Sequence, residues 1–109
     1  MTTRLCQQCH KNAIEAMLTK SVRQLLSAAG IFHWKNFGGP MGQPGVPDIL
    51  ACHKGRFIGI ELKAPNGKVS DQQTEFLKRI NDAGGIGFVA RTLDDVIDGL
   101  GLGDRFLIR

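Results

Sequence analysis

The segment from Pro47 to Lys63 combines two apolar stretches with charged residues that a buried hairpin would ordinarily exclude. Lys54-Gly55 divides it, and glycine readily adopts the positive φ that a two-residue hairpin turn requires. With that turn, the antiparallel register places Asp48 opposite Glu61, with Cβ atoms about 5 Å apart. Lys63 lies two residues beyond Glu61 and points to the same face. The sequence therefore predicts a hairpin that gathers two acids and one amine.

Two carboxylates that lie directly opposite one another repel, so their placement requires a compensating interaction. A divalent cation would provide it, because hard cations prefer carboxylate oxygens. Lys63 could instead neutralise one carboxylate alone, as a structural ion pair. A lysine beside a metal ion could also act on an attacking water or on developing negative charge. The triad of Asp48, Glu61 and Lys63 is therefore typical of a site that hydrolyses phosphodiesters.

Apolar periodicity along the chain predicts an α/β fold, a mixed sheet flanked by helices in the order α-β-β-β-α-β-α. The first eleven residues are predicted to be a tail, and residues 12–109 to form a single domain. Glycine and proline between residues 38 and 45 predict a loop. Residues 105–109 are predicted to form a last short strand or a tail. The predicted elements are helix 12–29, strands 31–37, 48–53 and 56–64, helix 70–83, strand 86–91 and helix 92–98.

The charge of the chain favours an anionic partner. A net charge of +4 and a pI near 9.3 are typical of proteins that bind nucleic acid, although many small basic domains bind nothing acidic. The chain has no apolar run of membrane-spanning length and no recognisable signal peptide. We therefore expect a soluble, cytoplasmic protein with no membrane partner.

Three cysteines, an odd number, argue against a disulfide framework. Cys6, Cys9 and His10 match the C-x-x-C-H pattern of covalent haem attachment, but the chain shows no export signal. The same cysteines could form half of a zinc site that a second subunit completes. The favoured interpretation is a reduced, partly ordered N-terminal turn.

Asp48 preceded by proline, together with Glu61-Leu62-Lys63, resembles the PD-(D/E)XK pattern of the restriction-endonuclease-like superfamily. More narrowly, the chain resembles the VRR-NUC family, the virus-type replication-repair nucleases, from about residue 12 to about residue 100. The supporting segments are GVPD at 45–48, IELKAPNGKVSDQQTEFL at 60–77 and GFVAR at 87–91. Neither half of the pattern is specific alone, but the two halves at hairpin spacing are.

The resemblance implies a Mg²⁺- or Mn²⁺-dependent DNA endonuclease of DNA repair, from a bacterial or phage-type context and without a small organic cofactor. It also implies a homodimer that cuts branched DNA, including four-way (Holliday) junctions. The chain shows no helix-turn-helix or zinc-finger pattern, so recognition should depend on backbone and shape. The alternative is a non-catalytic DNA-binding or scaffold module with a nuclease-like fold.

The resemblance also implies the ligands and the catalytic groups. Asp48, Glu61 and the backbone carbonyl of Leu62 would hold the metal ion, with Glu15 on the first helix helping directly or through water. Lys63, with Gln73 as a second catalytic group, would position or activate the attacking water. These roles are carried over from the family pattern at matching positions of this sequence.

Two of the implied site residues have structural alternatives. Glu15 has capping-box spacing from Asn12, so it could cap a helix that begins there. Gln73 matches a family glutamine that faces the site, but it is also spaced to cap a helix with Ser70. Helical spacing aims Gln73 towards the sheet and leaves Gln72 more exposed.

Several basic side chains are candidate phosphate contacts, although each could equally be a solvated charge. Lys68 is the strongest of them, because its turn directly follows the strand of Glu61 and Lys63. Trp34 is expected to pack in the core rather than to stack on a base, since large aromatic residues mostly bury. The candidate phosphate contacts are Lys35, Lys54, Arg56, Lys68 and Arg91.

Overall fold

The computed structural model describes residues 3–38 and 42–103. It confirms the α/β prediction, with three helices and four strands in the predicted order. No helix in these residues is long and apolar enough to span a bilayer. The elements are α1 Thr3–Ala28, β1 Phe32–Lys35, β2 Ile49–His53, β3 Arg56–Leu62, α2 Asp71–Asp82, β4 Ile86–Ala90 and α3 Leu93–Leu100.

The four strands form one mixed sheet in the order β1-β2-β3-β4. β1, β2 and β3 are antiparallel neighbours, whereas β4 runs parallel to β3 and is reached through α2, the crossover that a parallel pair requires. Lys54 and Gly55 have φ values of 53° and 81° and make the two-residue hairpin turn. His53 pairs with Arg56, so the predicted register is confirmed.

The two faces of the sheet are covered by different helices. Apolar residues of β2 and β3 pack with Val22 and Leu26 of α1 and with Val96 of α3 in one core cluster. On the other face, Gly59 and Gly87 allow α2 to lie close to β3 and β4, since added Cβ atoms would meet Ile80 and Leu77. The strand residues of the core are Ile49, Ala51, Ile58, Ile60, Leu62 and Ala90.

The first helix is longer than predicted. It begins at Thr3 rather than at Asn12, so the expected N-terminal turn is helical instead. Cys9 and His10 are exposed on this helix. The apolar periodicity that predicts a helix begins only at Ile14, so the earlier turns were not predicted. Arginine, glutamine and lysine in this stretch are good helix formers, which favours continuation of the helix towards its N-terminus. α3 also runs slightly past its predicted end, and the strand or tail predicted at 105–109 lies outside the described residues.

Gly45 is a point where the backbone tolerates no side chain. Its φ is 81°, and an added Cβ would overlap the carbonyl oxygen of Gln72 in α2. Gly84 provides a matched control, because its φ is 97° but nothing lies within 4 Å of an added Cβ. Gly45 thus lets the segment before Asp48 lie directly against α2.

We expect Gly45→Ala to lower the free energy of unfolding by about 3 kcal/mol, because left-handed strain and overpacking add. Gly84→Ala should lower it by only about 1–2 kcal/mol, through strain alone. Urea denaturation of both variants measures the difference. Equal losses would contradict the close contact between Gly45 and α2.

Candidate active site

Asp48 and Glu61 meet where β2 begins and β3 ends. Asp48 directly precedes β2, and its Oδ2 accepts a hydrogen bond of 2.8 Å from the backbone N–H of Leu62. That bond continues the hairpin pairing beyond the last strand pair, Ile49 with Ile60. The two carboxylates are close enough for the charge of Asp48 to act on Glu61. The structure therefore brings together the two acids on which the sequence prediction depends.

Glu61 is a buried carboxylate, with 2% of its surface exposed. Its Oε2 accepts a hydrogen bond of 2.9 Å from Nε2 of Gln73 and lies 3.4 Å from Nζ of Lys63. Its Oε1 is buried and has no hydrogen-bond partner among the described residues. Because buried polar atoms are almost always paired, Oε1 requires an explanation.

The surroundings of Glu61 favour its protonated form. Burial, and after it the negative charge of Asp48, raise the pKa of Glu61 from 4.5 to about 7, while the ammonium of Lys63 acts in the opposite direction. Lys63 therefore offsets only part of the cost of placing two carboxylates together. The structural ion pair considered from the sequence is present, but it does not fully neutralise the site.

Gln73 combines the two roles that the sequence left open. Its backbone N–H donates to Oγ of Ser70 and its Oε1 accepts from the N–H of Ser70, which completes the capping box of α2. The Nε2 group of the same side chain donates to Glu61. The cap fixes which end of the amide is oxygen, so the donor faces the carboxylate. Gln72, the competitor, is exposed as predicted.

Glu15 reaches the end of β3 from the first helix. Its Oε2 accepts a hydrogen bond of 3.1 Å from the backbone N–H of Ala64. The capping-box alternative with Asn12 is wrong, because α1 begins at Thr3 and both residues lie inside the helix. Glu15 is therefore positioned by tertiary contacts rather than by a helix end.

A cleft of about 370 Å³ opens between α1 and the ends of β2 and β3. Glu15, Asp48 and Lys35 all line it. The sequence interpretation missed two of its polar residues, Asn12 and Thr19. Their spacing of three and four residues from Glu15 places them on the same helix face, which is the signal that could have identified them. A larger cavity of about 660 Å³ beside α2 and the hairpin turn contains none of the site carboxylates.

The donor set suits an ion that needs few protein ligands. In residues 3–38 and 42–103, no group of three or more His, Cys, Asp or Glu side chains is close enough to hold a metal ion. Mg²⁺ is commonly bound through one or two carboxylates and retains several waters. Asp48 and Glu61 provide two carboxylates, and the unpartnered Oε1 of Glu61 is an available oxygen. The residues present therefore fit such an ion, while a contribution from Glu15 stays a prediction.

The predicted phosphate contacts are dispersed over the fold. Lys35 lines the cleft, whereas Lys68 is exposed in the loop before α2. Lys54 and Arg56 lie at the hairpin turn, at the other end of the strands from the carboxylates. At about 3.4 Å per strand residue, that separation is roughly 17 Å. Only Lys35 of these four therefore belongs to the cleft, and DNA contact by any of them stays a prediction.

Arg91 serves as a brace for the loop that follows β3. Its Nη1 donates to the carbonyl oxygens of Ala64, Pro65 and Gly67, at 2.8, 3.2 and 2.8 Å. The first of these residues also contacts Glu15. Arg91 therefore stabilises the backbone beside the cleft, and its contact with DNA stays a prediction.

Trp34 does not pack in the core, so that expectation was wrong. It is 39% exposed, and its ring lies 5.4 Å from that of Phe32, which is 70% exposed. Both residues belong to the edge strand β1, and they project on the sheet face whose helix, α2, covers β3 and β4. The outer part of that face therefore carries exposed aromatic rings.

Comparison with known proteins identifies one family. The family model for the VRR-NUC domain matches residues 2–93, well over half of the chain. No curated protein and no solved structure is similar enough to count as a match. The matched range includes every residue of the cleft and the whole of α1.

The raised pKa of Glu61 predicts a specific pH dependence of stability in the metal-free protein. Protonation of Glu61 adds to the free energy of unfolding. This contribution is fully present below about pH 4.5 and is lost as the pH rises through about 7. Glu61→Gln should therefore become more stable relative to the wild type between pH 5 and 8, by up to about 3 kcal/mol.

Urea unfolding in the presence of a chelator, at pH 5 and at pH 8, measures this difference. Glu75→Gln, at an exposed position on α2, is the matched control and should follow the wild type. If the free energies of unfolding of Glu61→Gln and of the wild type changed in parallel with pH, the raised pKa of Glu61 would be contradicted.

Proposed function

The chain belongs to the VRR-NUC family, and on that premise we propose that it is a metal-dependent DNA endonuclease that prefers branched DNA. The observation that carries the proposal is the unpartnered, buried Oε1 of Glu61 beside Asp48. A purely structural carboxylate at this position would be costly, since burial and a like charge both oppose ionisation. An arriving cation removes both penalties.

Asp48, Glu61 and the backbone carbonyl of Leu62 would hold Mg²⁺ or Mn²⁺, with Glu15 contributing directly or through water. When bound, the ion supplies Lewis-acid activation and stabilises charge on the phosphoryl oxygens. The hydrogen bond from Leu62 N–H holds the Asp48 carboxylate in place. These ligands come from a tight hairpin, so their spacing is set before the ion arrives.

Lys63 and Gln73 are the groups that act beside the carboxylates. The ammonium of Lys63 is largely buried, with 15% of the side chain exposed, and Nζ lies beside Glu61. There it would orient the attacking water and stabilise negative charge that develops on the phosphate. Gln73 holds the Glu61 carboxylate by its amide, which is itself fixed by the cap of α2.

DNA is the substrate class that the family and the net positive charge support. A preference for four-way junctions, and a role in DNA repair, follow from the family resemblance. The competing proposal is a non-catalytic DNA-binding or scaffold module. The intact set of Asp48, Glu61 and Lys63 disfavours it, because a binding module has no need of a buried, partly neutralised acid pair.

Lys63→Ala should reduce the rate of DNA cleavage by at least about 100-fold, because it removes the group that would orient water and stabilise charge. Lys78→Ala is the control, since Lys78 is exposed and paired with Asp82 on α2, and its rate should stay within about twofold of the wild type. The measurement is cleavage of labelled four-way junction, flap and duplex DNA, with Mg²⁺, Mn²⁺ or a chelator.

Three outcomes of that assay would count against parts of the proposal. Tight metal-free binding without cleavage by the wild type would favour the binding module. Cleavage that survives in a chelator would remove the metal ion from the reaction. Equal rates on duplex and junction would leave an endonuclease but remove the preference for branched DNA.

We also propose that two copies associate through the outer face of β1 and the hairpin, where the exposed rings lie. Phe32, Trp34 and Phe57 are 70%, 39% and 41% exposed on that face. Exposed aromatic clusters of this kind are typical of protein interfaces. A two-fold arrangement would place two active sites on one branched substrate.

Phe32→Asp should weaken self-association at least tenfold, because it places a charge at the centre of the proposed interface. Met17→Asp, at a 70% exposed position on α1, is the control and should not change the mass. Light scattering across a concentration series measures the effect. A wild-type protein that stays monomeric at working concentrations would refute the dimer.

A further inference from the structure

A second, shallow groove extends from the candidate active site along α1. It has a volume of about 580 Å³ and lies between α1 and the start of β1. Ala16 and Thr19 line both this groove and the cleft, so the two are adjacent along α1. We refer to the groove as the α1 track. Its lining residues are Ala16, Thr19, Lys20, Arg23, Gln24, Ser27 and His33.

The α1 track is polar and positively charged. Lys20 and Arg23 line it and no lining residue is acidic. Neither residue makes an ion pair or a side-chain hydrogen bond within the part of the chain that the structure describes. Two unpaired cations in a groove without carboxylates create a positive potential that attracts a polyanion. The exposed rings of β1, by contrast, suit an apolar partner.

We propose that the α1 track binds the phosphate backbone of one DNA strand as that strand enters the active site. Lys20 and Arg23 contact phosphates directly, and Gln24 and Ser27 provide neutral hydrogen-bond donors of the kind that contact phosphate oxygens. This inference rests on the proposed function, because it assigns a path to the substrate of the same site. It adds residues that the sequence interpretation did not select.

The length of the helix sets the register of the contacts. Glu15 marks the cleft, and Arg23 lies eight residues further along α1, which is about 12 Å. In the proposed complex α1 lies along the axis of a DNA duplex, and along that axis one strand advances about 3.4 Å per nucleotide. Arg23 therefore contacts a phosphate about three or four nucleotides from the bond that is cut. A contact at one defined phosphate distinguishes a strand bound in the α1 track from DNA that is attracted non-specifically to a basic surface.

The first test measures DNA binding by the double variant Lys20→Ala/Arg23→Ala. Binding of four-way junction DNA in a chelator, by fluorescence anisotropy across a salt series, separates affinity from cleavage. We expect Kd to rise at least tenfold and the slope of log Kd against log salt to fall by about 1.8, since each phosphate contact contributes about 0.9. The conservative pair Lys20→Arg/Arg23→Lys should retain most of the affinity.

The matched control is Lys78→Ala/Arg79→Ala, which removes the same charge from exposed positions on α2, against the other face of the sheet. This control should change Kd and the salt slope much less than the track variant. Equal effects of the two variants would show that only net charge matters, and would overturn the α1 track. An unchanged Kd in the track variant would overturn it as well.

The second test replaces single phosphates of the cleaved strand by uncharged methylphosphonates at each of the first eight positions on either side of the cut. For the wild type, we expect the largest loss of binding about three or four nucleotides from the cut. The track variant should be insensitive at that position, because the contact is already absent. A uniform loss across all positions would contradict the proposed register.

The two proposals fail in different ways. If the wild type binds DNA but does not cut it in any metal ion, the proposed nuclease function fails, and the salt slopes still decide whether the α1 track binds DNA. If the wild type cuts DNA and the track variant matches it in Kd, salt slope and rate, the nuclease function stands and the α1 track is refuted.

Discussion

The site depends on the enforced closeness of two carboxylates at one end of a hairpin. The two-residue turn at Lys54-Gly55 sets the register, and the register leaves Asp48 no position except beside the end of β3. The bond from Leu62 N–H then fixes its carboxylate, while burial prevents Glu61 from turning towards water. The backbone thus holds two carboxylates that repel one another, and the neighbouring side chains contact this pair.

Each layer of the fold contributes one support to that pair. From α1, Glu15 accepts the N–H of Ala64 just past β3. From α2, Gln73 donates to Glu61, and after β4, Arg91 holds the loop that Ala64 begins. Every one of these supports joins segments far apart in sequence, so the site forms only when the whole domain has folded. Preorganisation of this kind is what electrostatic catalysis requires.

Local rules predicted the hairpin and the helix caps, because those features depend on neighbouring residues. The turn at Gly55 set the strand register, and Ser70 with Gln73 set the start of α2. Local rules could not predict features that depend on tertiary packing. Trp34 is exposed because α2, on the same face of the sheet, covers β3 and β4 and does not extend to the edge strand β1, which no pattern within β1 reveals. The turns of α1 before Asn12 lack the apolar stripe that predicted the rest of the helix, and the three-carbonyl contact of Arg91 depends on a loop distant in sequence.

The dual bonding of Gln73 has a consequence for how the site responds to local motion. Fraying of the first turn of α2 would release the cap and, with it, the amide that holds Glu61. Water would then reach the carboxylate and favour its ionised form. Conversely, whatever anchors that carboxylate also tightens the helix end. The ionisation of Glu61 and the fraying of the N-terminus of α2 are therefore coupled.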